Sequence, residues 1–408
     1  MKCSVIHRRA LLLGAGAAGL SFSLPALGET PAPARGNVLV AIFLRGGVDG
    51  LSLCVPYTEA AYYAERKSIA IPRPGKRGGA IDLDGRFGLH PRLAPLVAAW
   101  RANELAVVHA VGSPDPTRSH FQAQDDWETA TPGRRSTRDG WLGRALEQEA
   151  KPGVLPAVAV SERVPLALRG RANVLAAKPL SAARLRAPAP VRPALERGFS
   201  RLWSRGDDPM RRAGRGALDA VSRLRGLDER EPDNGAEYAP VARPLRDLAG
   251  LIKADLGLRV GWVDVGGWDT HQGQGDGEGG RLSRQLTELG RALAAFRQDL
   301  GDDMQRVVVL VMSEFGRTVR ENGTSGTDHG HGSAMLVLGG NVKGGRVLGS
   351  FPGLEEPERF EARDLAVTTD FRDVLGEVAV RHLGVKDVER VLPGYGRGLA
   401  SLGIFAPA

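Results

Sequence analysis

Two short stretches of this 408-residue chain set imidazole and carboxylate side by side on a glycine-rich backbone. One is Gly266-Gly267-Trp268-Asp269-Thr270-His271, the other Thr327-Asp328-His329-Gly330-His331-Gly332. Neutral imidazole and ionised carboxylate are what a borderline divalent ion such as zinc takes as ligands. Asp269, His271, Asp328 and His329 are therefore expected to converge on one point, with His331 as the alternative to His329. His329 is favoured because Asp328 beside it can serve as a ligand or orient the ring.

Other segments add candidates. Glu314, in Ser313-Glu314-Phe315-Gly316-Arg317, closes an apolar run. A carboxylate buried there needs a partner, either Arg317 or a metal. Asp49, in Gly46-Gly47-Val48-Asp49-Gly50, is either a turn former or a ligand. Arg118-Ser119-His120 offers a guanidinium for an anion, a hydroxyl for nucleophilic attack, and an imidazole that joins the site or only bonds its own loop. Ser119 is the better nucleophile and Thr117 the alternative. His90, His109 and His382 read as structural.

The elements that must position these groups are short apolar runs: Val38 to Leu44, Leu105 to Val111, Ala157 to Val160, Arg259 to Val265, Val307 to Met312 and Ala334 to Leu338. Continuous hydrophobicity without alternation predicts strands covered on both faces. Between them, Leu282, Leu286, Leu289, Leu293, Phe296 and Leu300 form a helical stripe, and so do Phe371, Val374, Leu375 and Val378. The alternation predicts a three-layer α/β/α sandwich with a mostly parallel central sheet. The candidate residues follow strand ends, where an open α/β sheet binds its ligands. Residues 179–248, rich in Arg, Pro, Ala and Gly, break the rhythm and are expected to be a helical insertion or cap, carried as a solvated helical face.

The first 28 residues read as a twin-arginine signal peptide. His7-Arg8-Arg9 precedes a short Ala/Gly-rich apolar run, and Ala26-Leu27-Gly28 suits cleavage. The expected location is periplasmic or secreted, with the twin-arginine translocase as a partner during export. No later run is long and apolar enough to span a membrane. The formal charge of +8 falls to +5 once Lys2, Arg8 and Arg9 leave. Half a dozen surplus arginines at 181–230 account for that remainder, which argues against a nucleic-acid partner. Cys54 is then the lone thiol, so no internal disulfide is expected.

Five motifs in order carry a resemblance: Leu44 to Gly50, Arg118 to Gln124, Gly267 to His271, Ser313 to Thr318 and Gly326 to Gly332. Together they resemble the DUF1501 family, exported bacterial proteins placed with the alkaline phosphatase-like superfamily. The resemblance implies residues 36–408 as one α/β domain with one or two metals (zinc, manganese or calcium) at the strand ends. It also implies an anionic small-molecule substrate, a phosphate or sulfate ester. Asp49, Asp269, His271 and His329 or His331 then resemble metal ligands, joined by Glu314 and Asp328. Ser119 resembles the nucleophile, helped by Arg118 and Arg317. The chain departs from the superfamily where Glu314-Phe315 stands in place of Asp-His. Two functions follow: an exported metal-dependent hydrolase or transferase, or a non-catalytic binding or assembly protein on the same scaffold.

Overall fold

The computed structural model describes residues 21–22, 36–149, 153, 155–180, 187–188, 190–206, 208–224, 230–395 and 400–406. The expected leader lies outside the described residues, apart from Ser21 and Phe22.

Among the described residues, ten strands form the main sheet. In chain order they are β1 (Ser21–Phe22), β2 (Val38–Leu44), β3 (Leu105–Gly112), β4 (Ala157–Val160), β5 (Val174–Ala176), β6 (Val260–Val265), β7 (Val307–Met312), β8 (Ser333–Gly339), β9 (Arg346–Leu348) and β10 (Thr369–Asp370). Their spatial order is β1-β5-β4-β6-β2-β7-β8-β3-β9, with β10 also on β3. Pairing is parallel except where β1 meets β5 and where β8 meets β7 and β3. Strands β5, β9 and β10 have two or three residues each, too few for a periodic signal in sequence.

Strand β2 shows why the sheet is covered on both sides. All seven of its residues are buried. Val38, Val40, Ile42 and Leu44 enter one apolar cluster, and Leu39, Ala41 and Phe43 enter the other. The first cluster includes the stripe from Leu282 to Leu300 on the helix Arg281–Leu300. The second holds Trp127, Trp141, Phe371 and Val374. A helical layer thus lies on each face, and the architecture is a three-layer α/β/α sandwich. In the segment expected as an insertion, two helices, Arg192–Ser204 and Pro209–Leu224, pack on each other. The next, Arg243–Lys253, crosses residue 248 and buries Leu245, Leu248, Leu251 and Ile252 in the core.

The reversed direction of β8 matters most for the site. Because it runs against β7 and β3, its first residues lie at the carboxyl edge of the parallel strands. The residues before it, including His329, therefore reach the edge where β2, β6 and β7 end.

Candidate metal centre

The loop after β2 turns at Gly46, whose φ is +125°; a Cβ there would stand 2.5 Å from the Asp269 amide nitrogen. Only glycine allows the two loops to meet so closely. The Gly46 amide donates to Oε1 of Glu314 at 2.8 Å. Beyond β7, Arg317 and His329 face each other in an isolated antiparallel bridge. The Thr318 amide donates to the Asp328 carbonyl (3.0 Å) and the Gly330 amide to the Gly316 carbonyl (2.9 Å). A Cβ on Gly330 would stand 2.4 Å from the Arg317 carbonyl carbon, so this glycine lets the bridge close and deliver His329.

His120, Asp269 and His329 form the one group with metal-ligand spacing found among the described residues. Nε2 of His329 lies 3.0 Å from Nε2 of His120 and 3.0 Å from Nε2 of His271. Oδ1 of Asp269 lies 2.9 Å from Nε2 of His271 and 3.3 Å from Nε2 of His329. Its Oδ2 lies 3.6 Å from Nε2 of His120. Ligand atoms about 2.0–2.1 Å from a tetrahedral zinc stand roughly 3.3 Å apart, so these separations suit an ion.

The far side of each ring fixes its tautomer. Nδ1 of His120 faces Oε1 of Glu314 at 2.8 Å, and Nδ1 of His271 faces Oδ1 of Asp328 at 2.8 Å. Nδ1 of His329 faces the Arg118 carbonyl at 3.0 Å. Each partner accepts, so each Nδ1 carries the hydrogen and each Nε2 presents a lone pair to the others. Two lone pairs facing each other at 3.0 Å repel unless a cation lies between them. Burial, reinforced by the Arg317 guanidinium, lowers the His329 pKa, which favours its neutral ring.

The carboxylates are held ionised. Burial pushes Asp269 upward, but the Arg317 guanidinium, bonded to it, brings it below its ordinary range. Burial likewise opposes ionisation of Glu314, and bonds from His120, Gln124 and the Gly46 amide outweigh it. Arg317 donates to Oδ1 of Asp269 at 2.5 Å and to the carbonyls of Gly46, Gly47, Thr327 and Trp268. Its guanidinium ties three loops together. Solvent reaches Asp269, whose side chain is 42% exposed, so the centre opens at the surface.

The structure brings Asp269, His271 and His329 together and leaves other expected residues beside or away from the cluster. Asp328 stands behind His271, and Glu314 behind His120. Asp49 is fully buried, and its carboxylate accepts from Arg66, Ser52 and Gln274. His331 donates from Nε2 to the Ser113 carbonyl at 2.8 Å, and its ring packs on Phe360. Arg118 pairs with Asp364 and Glu361 at 2.7 and 2.6 Å. Ser119 is the N-cap of the helix His120–Thr129, and its hydroxyl makes no capping bond. Thr117 donates from its hydroxyl to Gln122. His120, left open between loop and site in the sequence, is the histidine that joins the cluster. Its signal was position: it opens a helix just after the end of β3. The ring of Phe315 lies 4.8 Å from that of His120 and 5.0 Å from that of His329.

Among the described residues, no helix is long and apolar enough to cross a membrane. No curated protein matches the chain. Among solved structures it is similar to the C-terminal periplasmic domain of EcEptC from Escherichia coli in complex with zinc. That likeness has 9% identity and a TM-score of 0.31, covering 78% of this chain and 77% of that one. Thermus thermophilus alkaline phosphatase is similar at 13% identity and a TM-score of 0.29, covering 70% of this chain and 61% of that one. Residues 85–391 match the family described as Protein of unknown function (DUF1501), a span that takes in every residue of the cluster, and the chain belongs to that family.

Proposed function

We propose that this chain is an exported, metal-dependent hydrolase or transferase of phosphate or sulfate esters. One divalent ion would be held by His120, Asp269 and His329, with His271 adjoining. The observation that carries the metal is the set of three imidazoles whose Nδ1 atoms are all committed to acceptors, so that their Nε2 lone pairs converge beside a carboxylate. Imidazole-rich ligation favours zinc over calcium, which prefers oxygen. A single ion fits better than two, because Arg66 already neutralises Asp49. The ester chemistry is what the resemblance of the five motifs implies.

When bound, the ion supplies Lewis acidity toward an ester oxygen. The chain's own groups do the rest. Glu314, Asp328 and the Arg118 carbonyl hold the three rings in one tautomer. Arg317 keeps Asp269 ionised. Ser119 is the proposed nucleophile, since the Thr117 hydroxyl is engaged by Gln122. The N-terminus of the helix His120–Thr129 favours an anion next to it. Arg281, exposed and bonded to the Asp269 carbonyl at 3.3 Å, is the rim cation best placed to meet the substrate.

One observation favours a non-catalytic binding role. Arg118 and Arg317, the arginines expected to meet the anion, are each committed to carboxylates of the chain itself. Metal analysis of the purified mature chain, followed by a screen of aryl phosphates, phosphodiesters and sulfates, separates the two. One equivalent of zinc with chelator-sensitive turnover supports the hydrolase; neither metal nor turnover leaves the binding role. Export is tested apart from chemistry: Arg8→Lys with Arg9→Lys should hold the precursor in the cytoplasm, and normal export of that variant would exclude the route.

A further inference from the structure

Six large apolar side chains stand exposed among the described residues, and five of them, Val191, Leu195, Leu202, Met210 and Val241, fall within residues 191–241. That concentration sits in the arginine-rich segment, whose charge alone suggested a solvated face. The first helix there, α1 (Arg192–Ser204), has no fully buried residue. It packs on α2 (Pro209–Leu224), where Trp203 lies against Gly214.

At roughly 100° per residue, Val191, Leu195 and Leu202 fall within about 40° of one another on α1. All three point outward, and Leu202 is 49% exposed. Phe199 and Trp203, both half-buried, lie to one side of this line, toward α2. On its other side Arg197, Arg201 and Arg205 recur every four residues and are exposed. Among the described residues no ion pair is formed by these three arginines. A helix that only shields a core turns its apolar residues inward; this one also presents an apolar line to solvent beside a row of free cations.

We propose that α1 docks in the plane of an anionic lipid surface. Val191, Leu195 and Leu202 would enter the boundary between headgroups and acyl chains, and Arg197, Arg201 and Arg205 would meet lipid phosphates. Charge complementarity selects this occupant. Arginines whose aliphatic stems run along an apolar line while their heads reach for phosphate match a lipid interface. Arg197, Arg201 and Arg205, exposed and outside any ion pair among the described residues, give this face an electrostatic pull on anionic headgroups. The attachment is peripheral, and it does not depend on what the metal centre does.

The test is co-sedimentation of the whole mature chain with vesicles of phosphatidylcholine alone and of phosphatidylcholine mixed with phosphatidylglycerol. Binding is expected to the mixed vesicles only, weakened by added salt. Leu195→Glu with Leu202→Glu should lower it at least tenfold without changing the circular dichroism spectrum. Each of Arg197→Gln, Arg201→Gln and Arg205→Gln should lower it roughly fivefold with the apolar line intact. Absence of sedimentation with the mixed vesicles overturns the proposal, and so does equal binding to both vesicle types. Full binding by the leucine double variant would overturn it as well, and capture of an acidic protein without vesicle binding would assign the face to that partner instead.

Discussion

Glu314 accepts a hydrogen bond from Nδ1 of His120 at 2.8 Å, on the opposite side of the ring from the Nε2 that faces His329. The same oxygen accepts from Gln124 and from the Gly46 amide. Glu314 thus serves the centre through His120. Removing its charge in Glu314→Gln should weaken zinc affinity about 10–100-fold, the usual cost of losing an orienting partner, while the fold persists. Competition with a chromophoric chelator measures this, and unchanged affinity would show that the carboxylate only fills space.

His329 and His331 make a matched pair two residues apart. His329→Ala should leave the purified protein with well under one equivalent of metal. His331→Ala should keep the metal, because its ring bonds Ser113 and packs on Phe360. Metal loss in the second variant and retention in the first would reverse the assignment.

Ser119→Ala should lower ester turnover by orders of magnitude with metal content intact. Its hydroxyl makes no capping bond, so stability should change by less than about 1 kcal/mol. Undiminished turnover would move the nucleophile elsewhere.

Arg66 and Asp49 form a fully buried ion pair at 2.6 Å. Arg66→Met strands the Asp49 carboxylate in the core, and breaking such a pair costs about 3–5 kcal/mol. Urea denaturation should show that loss with metal stoichiometry unchanged. A second bound ion in the variant would mean that Asp49 is a ligand held in reserve.

Acid should destabilise the metal-free protein through its structural histidines. Burial lowers the pKa of His90 to about 3 and of His109 and His382 to about 4. The unfolded chain protonates these rings near 6.5, the fold only near 4 or below. Stability is therefore present above 6.5 and lost as pH falls through that window. Asp126 works the other way. Burial raises its pKa to about 6, so the fold takes up a proton there that the unfolded chain binds only near 4. Three protons against one leave about 3 kcal/mol lost per pH unit near pH 5. Equal urea midpoints at pH 7 and pH 5 would contradict this.

The sheet was legible because buried strands announce themselves. Val307 to Met312 and Ala157 to Val160 were read to the residue, since nothing polar interrupts them. Asp269 and His329 could be named for the centre from residue type and glycine context. What sequence could not give was direction and partnership. Nothing in Ala334 to Leu338 says that the strand runs against its neighbours. Nor does Asp49 reveal that Arg66, seventeen residues on, will occupy it. A lone histidine at a helix start, such as His120, has two ordinary roles, and only the distant Glu314 and His329 decide between them.

Strand β8 draws its pairing from β3, more than two hundred residues earlier, and β7 pairs with β2 across a similar separation. Contacts of such long range form slowly. A ribosome-bound chain that has not yet released β8 has no second edge for β7 and no stretch to bring His329 opposite Arg317. The centre is thus assembled late in synthesis, and a chain truncated before residue 333 should lack a continuous sheet between β7 and β3.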